Sequence, residues 1–195
     1  MSSFLGHAAV GAATYLARHR LNDRQALPAL PVCVLVAICA DFDYLGIWWF
    51  GAHAAARFTH ALPFACIIAV VVWMMMRSLP WTSAARMPFV AWLIAAASHP
   101  LLDLAVGAHP LPLFWPFTDS GVSSPIGVLP SAGRLDIANV YLWRNLLLEI
   151  GVLLPILASV VVVSREGASR RFWRAAAVIA PVWIACLVCA VGLQR

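Results

Sequence analysis

His99 and Asp103 stand four residues apart in the otherwise apolar run "AAASHPLLDLAVGAHP", residues 95–110. On a helix, side chains at i and i+4 share one face with Cβ atoms about 6 Å apart, so an imidazole and a carboxylate so placed can hold one metal ion or one proton between them. Residues of the same two kinds punctuate other apolar runs: His7, Asp41 and Asp43 in "ADFDYLG", His60 in "RFTHALPF", and Glu149. Imidazoles mixed with carboxylates suit Zn²⁺, with Mn²⁺ or Fe²⁺ as alternatives. Three histidines with at least three carboxylates supply donors for two ions, within a range of one to three.

The elements that must bring these groups together are set by composition. The chain has 195 residues, of which 63% are hydrophobic and 11% charged, and its mean hydropathy is +0.88. A soluble domain of this size has far fewer apolar residues, so the expected fold is an all-α polytopic membrane helix bundle forming one domain. A hydrocarbon core takes about 20 helical residues to cross. Five stretches come close to that length, roughly 27–50, 61–77, 87–108, 141–164 and 174–193. Phe4 to Ala17 reads as a shorter amphipathic helix, and with no basic leader or A-x-A pattern it reads as retained rather than as a signal peptide.

All 13 basic residues are arginines, and their placement predicts an orientation. Nine of them, Arg18, Arg20, Arg24, Arg77, Arg86, Arg165, Arg170, Arg171 and Arg174, crowd into three loops, which the positive-inside rule puts in the cytoplasm. Both termini then face the exterior. His7, Asp41, Asp43, His60, His99, Asp103 and Glu149 fall in one layer near the outer surface. Ionisable groups at membrane depth are costly and mark functional sites. The net charge of +5 is thus a topology signal, or a surface for anionic lipid headgroups. No basic groove with interleaved aromatics suggests a nucleic-acid partner.

Each motif also has a plainer reading. Asp41 and Asp43 could face water at a helix end; Thr59 could be an N-cap with His60 as filler; His99 and Asp103 could form a hydrogen bond beside Pro100, whose ring removes one helical hydrogen bond. Cys186 and Cys189 form a C-x-x-C pair, but they lie in "WIACLVCAV", where small buried side chains explain them. Trp48, Trp49, Trp81, Trp115, Trp143 and Trp173 sit at segment ends, as in an aromatic belt. Residues 109–140 are too long and too rich in Pro, Gly and Ser for a mere connector. With Phe114, Trp115 and Phe117 on a proline-stiffened frame, this segment reads as an exterior lid.

The succession "GHAAVGAATY", "ADFDY", "RFTHAL", "SHPLLDL" and "PLFWPF", over residues 6 to about 119, resembles the bacterial membrane-bound metal-dependent hydrolases, also described as LexA-binding inner-membrane-associated hydrolases. These are distantly similar to zinc-dependent phospholipase C. The resemblance implies a multi-pass inner-membrane protein with metal ligands at His7, Asp41 or Asp43, His60, His99 and Asp103. A later H-x-x-x-E pair of the phospholipases falls on Asn145 and Glu149, so only its acidic half is present. The chain also departs from the family at Ala55, Ala56 and Arg57, where His-Arg-Gly is usual, and at Ala40, where proline is common. His53 and His109 are the imidazoles nearest to these gaps.

The chemistry expected is hydrolysis. Two metals can activate water and stabilise the leaving oxygen of a phosphoryl displacement, and Asp41 and Asp43 are the catalytic candidates. A site beneath the outer interface, on the periplasmic side, can meet a membrane lipid without extracting it, which favours a lipid phosphoester as substrate. No G-x-S-x-G elbow offers acyl transfer instead. The competing class is a non-enzymatic metal-binding protein or a transporter; inverted repeats or paired broken helices would favour transport, and the chain shows no internal repeat.

Overall fold

Ser3 opens the first helix by the usual means, its Oγ accepting the Gly6 N–H at 2.9 Å, which satisfies one of the unpaired donors of a helix start. The computed structural model describes residues 3–43, 57–79, 86–131 and 138–193. Six α-helices lie among them: α1 (Phe4–Leu16), α2 (Ala29–Ile38), α3 (Leu62–Ser78), α4 (Phe89–Val106), α5 (Val140–Glu166) and α6 (Arg170–Gly192). No strand forms among the described residues, where Leu111 and Val122 make an isolated antiparallel bridge.

The helices pair in chain order, α1 with α2, α3 with α4 and α5 with α6, and α1 also touches α4 and α5. Small residues let α1 and α2 approach closely. A Cβ on Gly11 would lie 2.6 Å from the Cys33 carbonyl oxygen and 2.8 Å from Val34 Cα, the kind of contact that membrane helices build from Gly and Ala. Tyr15, Cys33, Ala69, Trp92 and Ala95 fill the core between α1 and α4. A second, smaller core joins Val106 and Leu129 to Val152, Leu153 and Ala190.

The expectation of five crossing helices is corrected by these lengths. Among the described residues three helices, α4, α5 and α6, are long and apolar enough to span. Of the segment 27–50, the described part up to Asp43 holds an α-helix of 10 residues, which gives way to a 3₁₀ turn at Cys39–Phe42 that carries the buried Asp41. The segment 61–77 yields the 17 residues of α3, about 25 Å at 1.5 Å per residue, short of a hydrocarbon core of about 30 Å. The last helix shows what lipid-facing sequence looks like: beyond Arg174 α6 is apolar, yet Ala190 alone of its residues is buried.

The helix ends are held by specific contacts. Gly107 takes a left-handed conformation, φ 67°, and returns its N–H to the Asp103 carbonyl at 3.2 Å, which stops α4 one turn past Asp103. The following loop folds back on two helix ends: Leu62 N–H donates to the Leu113 carbonyl at 2.9 Å, and Val128 N–H to the Ala105 carbonyl at 2.8 Å. Trp115 packs its ring 5.5 Å from that of Phe58, whereas Phe114 and Phe117 are exposed. Trp48, Trp49 and Trp81 lie outside the described residues.

Candidate metal centre

Four helix ends converge on one buried cluster. His7 comes from the second turn of α1, Asp41 from the 3₁₀ turn after α2, His60 from the 3₁₀ turn Phe58–His60 before α3, and His99 and Asp103 from the last turns of α4. All five are buried. Two overlapping triads, His7–Asp41–His99 and His60–His99–Asp103, place one ligand atom of each residue within 4.8 Å of the others.

The distances resemble the edges of a coordination shell. His60 Nε2 lies 3.3 Å from His99 Nε2, 3.4 Å from Asp103 Oδ2 and 3.8 Å from Asp41 Oδ1. His99 Nε2 lies 3.5 Å from Asp41 Oδ1 and 3.9 Å from Asp103 Oδ2. Zinc bonds of about 2.0–2.2 Å give a tetrahedron with edges of roughly 3.3–3.6 Å, so the converging atoms of His60, His99 and Asp103 lie near the spacing that one ion needs, with Asp41 close to both imidazoles. His7 stacks on His99 with ring centroids 3.8 Å apart and sets Nε2 3.5 Å from the other oxygen of Asp103, Oδ1.

Tautomers decide what faces what. The Nδ1 of His99 lies 2.7 Å from the Ala37 carbonyl, an acceptor only, so Nδ1 carries the proton and Nε2 presents a lone pair. Thr59 Oγ1 donates to Asp43 Oδ2 at 3.0 Å and therefore accepts from His60 Nδ1 at 3.0 Å, which leaves the lone pair on His60 Nε2, where Arg57 Nη2 donates to it at 2.9 Å. Two lone pairs and two carboxylate oxygens thus converge. A proton on one imidazole relieves some of these contacts; a divalent cation relieves all of them. Among the described residues, fully buried His7 has no hydrogen-bond partner at either ring nitrogen, and Asp41 Oδ1 has none. Buried polar atoms of this kind cost about 1–3 kcal/mol each unless something binds them, so the donor set fits a metal ion.

Not every residue expected at the centre sits in it. Asp43 turns to Arg57, whose Nε donates to Oδ2 at 3.1 Å, and through Thr59 it orients His60. Glu149 accepts the Ser3 backbone N–H at 3.0 Å, so its carboxylate lies against the N-terminus of α1, the helix that carries His7. Asn145 donates to the Ser131 carbonyl at 2.8 Å, away from the cluster. His109 is exposed. His53, Ala55 and Ala56 lie outside the described residues. Cys186 sets its Sγ where a Cβ on Gly151 would come within 2.8 Å, but it is only half-buried and Cys189 is exposed, which corrects the expectation that both are buried.

Residues the motifs did not point to are the Ala37 carbonyl, Arg57 and the hydroxyl of Thr59. Thr59 was the one with a signal, adjacent to His60, but its side chain serves the imidazole, and the residue before α3 is Ala61.

Fold and cluster together define an all-helical membrane protein with a buried His/Asp group able to hold a metal ion. The chain belongs to the YdjM inner membrane protein family, whose model matches residues 1–194. No curated protein and no solved structure matches it. The match carries the inner-membrane location of the sequence resemblance; hydrolysis is no part of it.

Proposed function

We propose that the chain is a metal-dependent hydrolase of a phosphoester, a lipid headgroup or a group like it, working at the periplasmic face of the inner membrane. The observation that carries this reading is that His60 Nε2 and His99 Nε2 lie 3.3 Å apart and each lies 3.4–3.9 Å from Asp41 Oδ1 and Asp103 Oδ2. His60, His99, Asp41 and Asp103 hold the ion, and His7 stands ready at the second oxygen of Asp103. A bound zinc, or manganese or iron, would supply Lewis acidity and draw the pKa of a coordinated water toward neutrality. The Ala37 carbonyl and the Asp43–Thr59 pair hold the two imidazoles in the ligating tautomer. Burial on α1, α2 and α4 keeps bulk water out, and Asp43 with Arg57 forms the more open side.

Protein purified in detergent and resupplied with zinc should carry close to a full ion per chain and hydrolyse a chromogenic phosphodiester. Affinities of the usual size give near-complete loading. Stoichiometry below about 0.2 ions per chain would remove the metal centre, while full loading without hydrolysis would make this a non-enzymatic metal-binding protein.

The orientation rests on arginine placement. Arg77 ends α3, about 26 Å from His60 at 1.5 Å per residue, so the cluster and this arginine lie at opposite ends of α3. In cells carrying a variant without the five native cysteines, Ser123→Cys should react with an impermeant thiol reagent and Ser169→Cys should not. Labelling at residue 169 alone would invert the topology.

A further inference from the structure

Arg57 stands where the ion would have to work. Its Nη2 donates to His60 Nε2 at 2.9 Å, while Nε and Nη2 reach the two oxygens of Asp43 at 3.1 and 3.4 Å. One nitrogen lone pair takes an N–H or a metal ion, never both. The guanidinium therefore fills the place of a cation at His60. Exposure also rises along this line, from 0% for the His60 side chain to 11% for Asp43 and 24% for Arg57, whereas His7, Asp41, His99 and Asp103 are sealed. Among the described residues, the Arg57–Asp43 pair is thus the approach to the cluster.

We propose that Arg57 has two alternative positions: on His60 when no ion is present, and, displaced by a divalent cation, beside it as the group that recognises a phosphate oxygen at the loaded centre. The proposal rests on the metal-centre reading and narrows its substrate to an anionic phosphoester. Charge explains the exchange. A divalent ion among Asp41 and Asp103 neutralises both carboxylates and repels the guanidinium, which must leave His60 Nε2. Asp43 lies outside the four converging atoms and keeps its hold on Nε, so the displaced fork stays within a side chain's reach on the open side. There it meets an incoming oxyanion with the planar, permanently charged donors that fit phosphate in bidentate fashion.

The test uses the full-length protein in detergent with Co²⁺, whose visible absorption reports both loading and ligand exchange. Arg57→Gln should bind Co²⁺ roughly 10-fold more tightly than the parent, since a competitor is gone. The same loaded variant should bind inorganic phosphate roughly 10- to 100-fold more weakly, the range for losing a charged hydrogen bond. Arg57→Lys keeps the charge near Asp43 and guards against misfolding; it should fall between the two for phosphate. A second arm replaces inorganic phosphate with phosphatidic acid in mixed micelles. A spectral change with either source supports an oxyanion subsite and says where the phosphate comes from; none with either overturns it. If the parent loads Co²⁺ but Arg57→Gln leaves Co²⁺ or phosphate affinity unchanged, the proposal fails while the metal centre stands. If the parent takes no Co²⁺, both fail.

Discussion

Asp103→Asn should lower zinc affinity by more than about 100-fold and abolish hydrolysis, while the helices stay folded. Asp103 is the busiest carboxylate of the cluster: Oδ1 faces His7 at 3.5 Å, and Oδ2 faces His60 and His99 at 3.4 and 3.9 Å. Substituting residues that merely orient a metal ligand costs about 10- to 100-fold in affinity, so loss of a charged ligand costs more. Asparagine keeps the shape and one oxygen but removes the anion that balances the ion's charge. Fold should survive, because polar contacts between membrane helices average about 0.6 kcal/mol. The measurement is thermal unfolding with and without zinc. Zinc at 100 times its dissociation constant stabilises a folded protein by about 2.7 kcal/mol, a rise the parent should show and the variant should lack. A variant that still gains the full shift would exclude Asp103 as a ligand and reduce the His99–Asp103 pair to a hydrogen bond beside Pro100.

Gly11→Ala should be strongly damaging for a single-methyl change. In an isolated helix the exchange gains up to about 1 kcal/mol. Here the added Cβ meets backbone, the Cys33 carbonyl at 2.6 Å and Val34 Cα at 2.8 Å, so nothing but helix separation makes room. Overpacking of this kind costs typically about 1–3 kcal/mol, which for a chain of this size lowers the unfolding midpoint by roughly 2–12 °C. Because α1 carries His7 and α2 leads into Asp41, the same displacement should loosen the cluster and weaken metal binding. Gly192→Ala, whose Cβ meets nothing within 4 Å, is the control and should change little. Equal midpoints for the two variants would mean that α1 and α2 do not touch at Gly11.

The residues of the buried cluster were legible for a specific reason. In a chain this apolar, imidazoles and carboxylates have no cheap place except water or one another, so His7, Asp41, His60, His99 and Asp103 stand out by residue type alone. The same arithmetic of apolar length found α4, α5 and α6. It overcounted at 27–50 and 61–77, because hydropathy counts apolar residues and cannot see that the backbone leaves the α-helix at Cys39 or that α3 stops at Ser78.

What the sequence by itself determined is the solvent, the helical class and which side chains are candidates, since all three follow from residue type and local spacing. The tertiary structure alone decided the division of labour among those candidates. Asp41 and Asp43 are two residues apart, yet one enters the cluster and the other binds Arg57 and Thr59. Glu149 matched the ligand pattern and instead meets the backbone of Ser3, 146 residues away in the chain. The lone pair of His99 is aimed by a carbonyl of α2, a group every residue carries and no motif records. Such roles depend on distances between segments remote in sequence, and those are set by how closely helices such as α1 and α2 can pack.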